Sequence, residues 1–274
     1  MTLTCAAAPL DIRGRITAQA ARFTEYPNFL QKPTSPLALI DWHADRNPGH
    51  VLWLHTTVGC DGSTVDTRPI TALTLKSLIL AMQHHLRQQL ESRPHSMVTH
   101  RKCVALLSGP NHILYEITRL ALVSMNVSVL CLSPRNSIEL HRQLMSGAET
   151  STLIHDATYE AVSAQISQAK VSMLLLPTLD QLFSMIVHMS SIDPTKSLAP
   201  KTLSIQDPAF IFQTSGSTSG NPKLVTLDHR YLWALATFCI GSLCRAGELL
   251  YTPMPLFHIF GTVRSQHIFD LSMS

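Results

Sequence analysis

Short apolar runs alternate with amphipathic stretches through residues 103–177, and this alternation constrains the fold more than any other feature of the chain. The apolar runs CVALLS, VSVLCL, STLIHD and VSMLLLP have the length and composition of buried strands. Between them, helices are predicted over residues 112–125, from Pro134 in SPRNSIELHRQLM, and over TYEAVSAQISQAK. Strands and helices that alternate across short loops predict an α/β fold, in which helices cover a parallel sheet.

The flanking segments extend this pattern. HVLWLHTT predicts a strand, and LTLKSLILAMQHHLRQQLESR predicts a helix because its apolar residues recur at steps of three and four. Asn126 can adopt the left-handed conformation that ends a helix. Residues 190–208 are rich in Pro, Ser and Thr and form either a linker or a surface excursion. We expect an N-terminal extension over residues 1–39 and a single, partial domain over residues 40–274.

Composition excludes several classes of protein. Hydrophobic residues make up 45% of the 274 residues and charged residues 14%, so the chain can bury a large core and is not expected to be disordered. A net charge of +3 is too small to indicate a nucleic-acid partner. The most apolar run, residues 120–132, falls short of the roughly 20 residues that span a bilayer. With no signal peptide evident, we expect no membrane association and a cytoplasmic location.

Cysteine and histidine patterns do not predict a metal site. The 14 histidines show no ligand spacing with a supporting acid or cysteine, and the six cysteines include no CxxC pair. We expect Cys103, Cys131 and Cys239 to be free thiols that behave as small apolar residues.

The stretch FQTSGSTSGNPKLV, which follows the apolar run AFIF, indicates a chemical function. Backbone N–H groups exposed by glycine converge with hydroxyls on an oxyanion, and a lysine can neutralise it, so the stretch predicts a phosphate-binding loop. Seven consecutive residues supply the hydroxyls and glycines: Thr214, Ser215, Gly216, Ser217, Thr218, Ser219 and Gly220. Lys223 supplies the positive charge.

A Walker A loop, a nucleophile elbow and a flexible linker each fit this stretch less well. A Walker A loop requires Lys directly after the second glycine and then Ser or Thr, whereas Asn-Pro precedes Lys223 and Leu224 follows it. A nucleophile elbow requires Ser at position 218, which is threonine. A flexible Ser/Gly linker does not account for the strand that enters the loop or for the Pro-Lys that closes it.

TSGSTSGNPK resembles the nucleotide-phosphate loop of the adenylate-forming superfamily, which includes acyl-CoA synthetases, luciferases and the adenylation domains of nonribosomal peptide synthetases. The loop here is one residue longer than usual, and Leu224 stands where glycine is common. PMPLFHIFG, about thirty residues downstream, resembles the next motif of that superfamily. LSPRNS is similar to the corresponding segment of fungal peptide-synthetase-like enzymes that activate a free carboxylic acid.

The resemblance implies a fold and an activity. The fold is the N-terminal part of the large domain of an adenylate-forming enzyme. The activity, with ATP and Mg²⁺, converts a carboxylic acid to an acyl-adenylate, which passes to coenzyme A or to the phosphopantetheine of a carrier domain. Thr214 to Gly220 and Lys223 would then hold the β- and γ-phosphates, with Thr218 as the principal hydroxyl, and His258 would border the carboxylate pocket as a catalytic residue.

The resemblance also implies that complete members are longer than this chain. Motifs that bind adenine and ribose, and the catalytic lysine of a C-terminal domain, have no match here. We therefore expect little ATP–pyrophosphate exchange by the chain alone. The alternative interpretation is a non-catalytic remnant that binds a ligand or partner without turnover.

Overall fold

A computed structural model describes residues 35–58, 65–91, 103–109, 112–167, 171–188, 193–199, 204–214, 223–231 and 255–259. The α-helices of the described residues are α1 Pro36–Arg46, α2 Ala72–Glu91, α3 His112–Ser124, α4 Ile138–Gly147, α5 Glu160–Ile166 and α6 Leu179–His188. The strands are β1 Val51–Val58, β2 Val65–Thr71, β3 Cys103–Leu107, β4 Ser128–Cys131, β5 Thr152–His155, β6 Ser172–Leu175, β7 Pro208–Gln213 and β8 Leu224–Asp228.

The central sheet has six strands in the order β6-β5-β3-β4-β7-β8. Its first five strands are parallel, which confirms the predicted α/β fold with a parallel sheet. The sixth strand, β8, pairs antiparallel with β7, so the sheet is mixed. A separate antiparallel pair is formed by β1 and β2. Because the five parallel strands share one direction, the segments that follow them lie along one edge of the sheet, which we call the carboxyl edge.

Helices cover both faces of the central sheet. Side chains alternate along each strand. Val104 and Leu106 of β3 therefore join the core that contains residues of α1, α2, α3 and α6, while Ala105 and Leu107 join the core beneath α4 and α5. The result is three layers, with the sheet buried between two sets of helices.

Local signals fix where several helices begin and end. Ser35 and Ser137 cap α1 and α4, because their hydroxyls accept from the amides of Ala38 and Leu140 at 3.2 Å. Asn126 follows α3 with φ of 58°, which confirms its predicted left-handed conformation. The prediction that the fourth helix starts at Pro134 is wrong. Pro134 lies in a turn, and the helix begins only after the Ser137 cap.

Several elements differ from the sequence-based expectations. The pattern at TYEAVSAQISQAK forms a 3-10 turn at Ala157–Tyr159 before the shorter α5. The sequence patterns did not predict α1, α6, β2 or β8. β2 and β8 are the least recognisable, since VDTRPIT contains proline and LVTLD is short and half exposed.

The segment at residues 193–199 is a surface excursion held against α1, and not a free linker. The Asp41 carboxylate accepts from the Ser197 hydroxyl and the Leu198 amide, both at 2.8 Å. Buried Lys76 on α2 lies 3.0 Å from the same carboxylate. The predicted boundary between residues 39 and 40 falls inside α1, whose Leu37, Leu39 and Ile40 are buried together, and the domain division remains a prediction.

None of the described helices is long and apolar enough to cross a membrane. Of the described cysteines, Cys131 is buried and Cys103 is half-buried, and both are free thiols, as predicted. Burial raises the pKa of Cys103 to about 11, so its thiol stays protonated at neutral pH. The prediction for Cys239 lies outside the described residues.

Histidines with lowered pKa values predict that the fold loses stability in mild acid. Burial lowers the pKa of His50 to about 4, and burial also lowers the pKa of His141 and His229. A group whose folded pKa is depressed contributes stability above its unfolded pKa of about 6.5, and this is lost as the pH falls towards the folded pKa. For His50 alone we expect the free energy of unfolding to fall by about 1–3 kcal/mol between pH 6.5 and pH 4.

Urea denaturation at several pH values tests this expectation. His50→Gln should flatten the pH dependence across that window, whereas His188→Gln, which alters an exposed histidine at the end of α6, should follow the wild type. Identical pH profiles for wild type and His50→Gln would contradict it.

Candidate functional site

The loop predicted to bind phosphate is the connection of a β-hairpin. β7 enters it and β8 leaves it, and the last rung of the ladder between them pairs Gln213 with Leu224. Beyond that rung, the Thr214 amide donates to the Lys223 carbonyl at 2.9 Å and the Lys223 amide donates to the Thr214 hydroxyl at 3.0 Å. We call residues 214–223 the glycine loop, and these two hydrogen bonds form its base.

The structure places two of the eight predicted loop residues. Thr214 and Lys223 are brought together at the base, and both side chains are exposed at the carboxyl edge of the sheet. The remaining predicted residues lie outside the described part of the chain: Ser215, Gly216, Ser217, Thr218, Ser219 and Gly220. Their roles remain predictions.

The hairpin excludes a Walker A loop and a nucleophile elbow by its fold, as the residue pattern already did by sequence. A Walker A loop and a nucleophile elbow both lead from a strand into a helix. Here the chain returns as the antiparallel strand β8. A phosphate at this loop would therefore be held by loop amides, hydroxyls and Lys223, with no contribution from a helix dipole at the loop exit.

Leu224, which stands where the resembled family commonly has glycine, is the half-buried first residue of β8. The Leu224 side chain packs against the core beneath α4 and α5. A Cβ placed on Gly147 would lie 3.3 Å from the Leu224 Cδ1 atom. The lack of a side chain at Gly147, the last residue of α4, thus makes room for Leu224.

An amide pair that no sequence pattern indicated ties the glycine loop to the turn after β4. Asn136 Nδ2 donates to Gln213 Oε1 at 2.6 Å, and Gln213 Nε2 donates to Asn136 Oδ1 at 2.9 Å. Gln213 is the residue directly before Thr214. Asn136 belongs to the LSPRNS segment that carried part of the resemblance, but no spacing rule links residues 77 positions apart.

A second link joins the ends of β3 and β5. The Asp156 carboxylate accepts from the Ser108 hydroxyl and the Gly109 amide, both at 2.7 Å. A Cβ on Gly109 would lie 3.1 Å from the Tyr159 ring, so a side chain there would be crowded. These contacts hold Ser108 and Gly109 at the end of β3, and they too join segments distant in sequence.

His258 lies in a turn that buried Arg119 anchors. The His258 side chain is exposed, and its amide donates to the Pro255 carbonyl at 3.0 Å. Within the same turn, Leu256 is buried, and its carbonyl accepts from Arg119 Nη1 at 3.1 Å. The structure therefore attaches the predicted catalytic histidine to α3, and its catalytic role remains a prediction.

Arg119 is fully buried between several partners. Its guanidinium pairs with the Glu116 carboxylate, also fully buried, and lies 4.6 Å from the centroid of the Phe210 ring on β7. Burial is the largest single influence on the pKa of Arg119 and lowers it, but the Glu116 carboxylate and the other groups around the guanidinium together raise it above its ordinary value, so the side chain is a cation. One buried charge thus joins α3, β7 and the turn that carries His258.

The described residues fit an anionic ligand at the glycine loop better than a metal bound by protein alone. No group of three His, Cys, Asp or Glu within the described segments could hold a metal ion. The Thr214 hydroxyl oxygen accepts from the backbone amide of Lys223, so the hydroxyl hydrogen remains available to an external acceptor. Mg²⁺ commonly binds through substrate phosphates with few protein ligands, so an ATP complex does not require such a cluster.

A groove of about 570 Å³ lies elsewhere, beside β6, the outermost strand on the side of the sheet away from β8. His85 of α2, Leu175 of β6 and Met185 of α6 line it. Because β6 and β7 are separated by three strands in the sheet, we do not assign this groove to the glycine loop.

Comparison with known proteins identifies relatives of the chain. The family model for AMP-binding enzyme matches residues 95–268. Long-chain fatty acid transport protein 2 of Rattus norvegicus is 29% identical over 167 residues, which cover 57% of this chain and 26% of the rat protein. The isocyanide synthase-NRPS hybrid crmA of Aspergillus fumigatus is 25% identical over 240 residues, 82% of this chain and 15% of that protein.

Solved structures share the fold. The N-terminal domain of FACL13 from Mycobacterium tuberculosis superposes with a TM-score of 0.66 at 18% identity, over 87% of this chain and 56% of that one. The fatty acyl-adenylate ligase of L. pneumophila gives a TM-score of 0.63 at 14% identity, over 89% and 40%. The chain thus spans about a quarter or less of the two curated relatives and about half of these solved chains.

Removal of the charge that balances Arg119 is expected to destabilise the fold strongly. Glu116→Gln keeps the size of the side chain but leaves a buried guanidinium without its counter-charge, at a cost of about 3–5 kcal/mol in the free energy of unfolding. Glu139→Gln is the matched control, because Glu139 forms an exposed pair with Arg142 at the same helical spacing, and it should cost less than about 1 kcal/mol. Equal losses for the two variants in urea denaturation would refute this assignment.

Proposed function

Because the chain belongs to the AMP-binding enzyme family, we propose that it binds ATP at the glycine loop and takes part in the activation of a carboxylic acid as an acyl-adenylate. The family acts on carboxylic acids with ATP and passes the acyl group to the thiol of coenzyme A or of a carrier. The observation that carries the proposal is the base formed by Thr214 and Lys223. It presents an exposed hydroxyl and an exposed ammonium at the carboxyl edge of a parallel sheet, where ligands of α/β proteins bind.

In the proposed reaction a carboxylate oxygen attacks the α-phosphorus of ATP. A bond forms between these two atoms, the bond from the α-phosphorus to its bridging oxygen breaks, and pyrophosphate leaves with the bonding electrons. Catalysis of this kind depends on position and on charge neutralisation. Lys223 offsets the charge of the β- and γ-phosphates, and Thr214 donates its hydroxyl hydrogen to a phosphate oxygen. Bound Mg²⁺ would neutralise further phosphate charge.

The other predicted residues complete this proposal. The hydroxyls and amides of residues 215–220 add donors to the same phosphates, with Thr218 as the principal hydroxyl. His258 borders the carboxylate, at the end of the turn that Arg119 holds. The acyl-adenylate then transfers its acyl group to a thiol, and the thiol proton is lost as AMP leaves.

The second candidate is a protein that binds ATP without turnover. Acid-dependent exchange of labelled pyrophosphate into ATP, measured on the chain itself, separates the two candidates. Exchange supports activation, whereas MgATP binding without exchange supports the second candidate.

Loss of the Lys223 charge is expected to weaken MgATP binding. A charged hydrogen bond to phosphate contributes about 1.5–3 kcal/mol, so Lys223→Ala should raise the Kd about 10- to 100-fold in isothermal titration calorimetry. Lys196→Ala is the control, because it removes the same charge from the exposed segment held against α1 and should leave the Kd unchanged. If both lysine variants bound MgATP as the wild type does, the loop assignment would be wrong.

A further inference from the structure

The amide pair between Asn136 and Gln213 links two neighbouring strands at the edge where the glycine loop begins. It crosses from the segment after β4 to the last residue of β7. The pair is reciprocal, because each side-chain amide donates one hydrogen bond to the other and accepts one from it. Both side chains are half-buried, which shields the two hydrogen bonds partly from water.

The turn on the Asn136 side is itself held firmly. The Ser133 carbonyl accepts from the Asn136 amide at 3.1 Å and from His141 Nε2 at 3.0 Å. Because a carbonyl can only accept, Nε2 of His141 carries the proton. His141 is fully buried in α4, and Ser133 Oγ also accepts from the Arg135 amide at 3.3 Å. The turn at residues 133–136 therefore has few conformations available to it.

The Gln213 side of the pair leads directly into the glycine loop. Gln213 is covalently joined to Thr214, whose amide and hydroxyl make both hydrogen bonds of the loop base with Lys223. An unbroken series of contacts thus runs from α4 through the turn and the amide pair to the base. A β-hairpin ladder alone would leave this base as its last, most weakly supported rung.

We propose that Asn136 and Gln213 are positioning residues, which fix the base of the glycine loop by tying it to the turn at residues 133–136. For ligand binding this inference rests on the proposed function, because a fixed base holds Thr214 and Lys223 ready for phosphate. Neither amide needs to contact the ligand for this role, since each acts through its hydrogen bonds to the other. The pair acts on the loop through Thr214.

Amide hydrogen exchange, followed by NMR on the full chain without ligand, tests the positioning role directly. Asn136→Ala and Gln213→Ala should each lower the protection of the Thr214 and Lys223 amides about five- to tenfold. A double variant that exchanges the two residues, Asn136→Gln with Gln213→Asn, keeps both side-chain amides and the summed length of the two side chains. It should restore most of the protection. Gln88→Ala removes a comparable amide contact, 2.8 Å from His84 on the exposed face of α2, and should leave the Thr214 and Lys223 amides unchanged.

Two results would overturn the positioning role. One is unchanged protection of the two amides in Asn136→Ala and Gln213→Ala. The other is an equal loss of protection across the central sheet, without rescue by the exchanged pair, which would mean that the amides only stabilise the fold as a whole.

Titration with MgATP separates this inference from the proposed function. With both correct, Asn136→Ala weakens MgATP binding about tenfold, and the exchanged pair recovers it. A wild-type chain that binds no MgATP, yet shows the expected exchange pattern, would refute the proposed function and support the positioning role. Unaltered MgATP affinity in Asn136→Ala, with the wild type binding, would overturn the role in ligand binding.

Discussion

The buried ion pair between Arg119 and Glu116 is the interaction on which the arrangement of the candidate site depends. A charge removed from water is costly unless it is paired and hydrogen bonded. Arg119 meets this requirement with partners from separate parts of the chain, namely Glu116 beside it on α3, the Phe210 ring on β7 and the Leu256 carbonyl. Relative movement of α3, the sheet or the turn before His258 would leave a charge unsatisfied, so their geometry is fixed together.

Around this centre, contacts along the carboxyl edge hold the ends of neighbouring strands in pairs. Asp156 joins the ends of β5 and β3, and the amides of Asn136 and Gln213 join the ends of β4 and β7. Each link is polar and lies where the parallel strands stop, so it adds rigidity without filling the space above the sheet. The base of the glycine loop, Thr214 and Lys223, lies at this edge between β7 and β8. A rigid edge beneath a long, charged side chain such as Lys223 is suited to hold a flexible, highly charged ligand.

The fold was largely predictable, and the failures have physical causes. Strong hydrophobic periodicity located β3, β4, β5 and β6 and the helices between them, because buried strands and helix faces impose it. β8 was missed since it is short and half exposed, and its identity comes from pairing with β7. The start of α4 was misplaced because Pro134 is compatible with a first helical turn, while the Ser137 side chain decides where the helix begins.

The sequence by itself determined the α/β class, and it displays the hydroxyls, the glycines and Lys223 from which a phosphate-binding loop is predicted. These depend on residue type and local order, which a sequence displays directly. Only the tertiary structure decided that the loop closes a hairpin, that Leu224 packs over Gly147, and that Asn136 meets Gln213 and Arg119 meets Leu256. Those contacts join residues as far as 137 positions apart, and no local pattern encodes them. The contact of Asn136 with Gln213 exists because parallel strands end at one edge, and the contact of Arg119 with Leu256 exists because a buried polar group must find a partner.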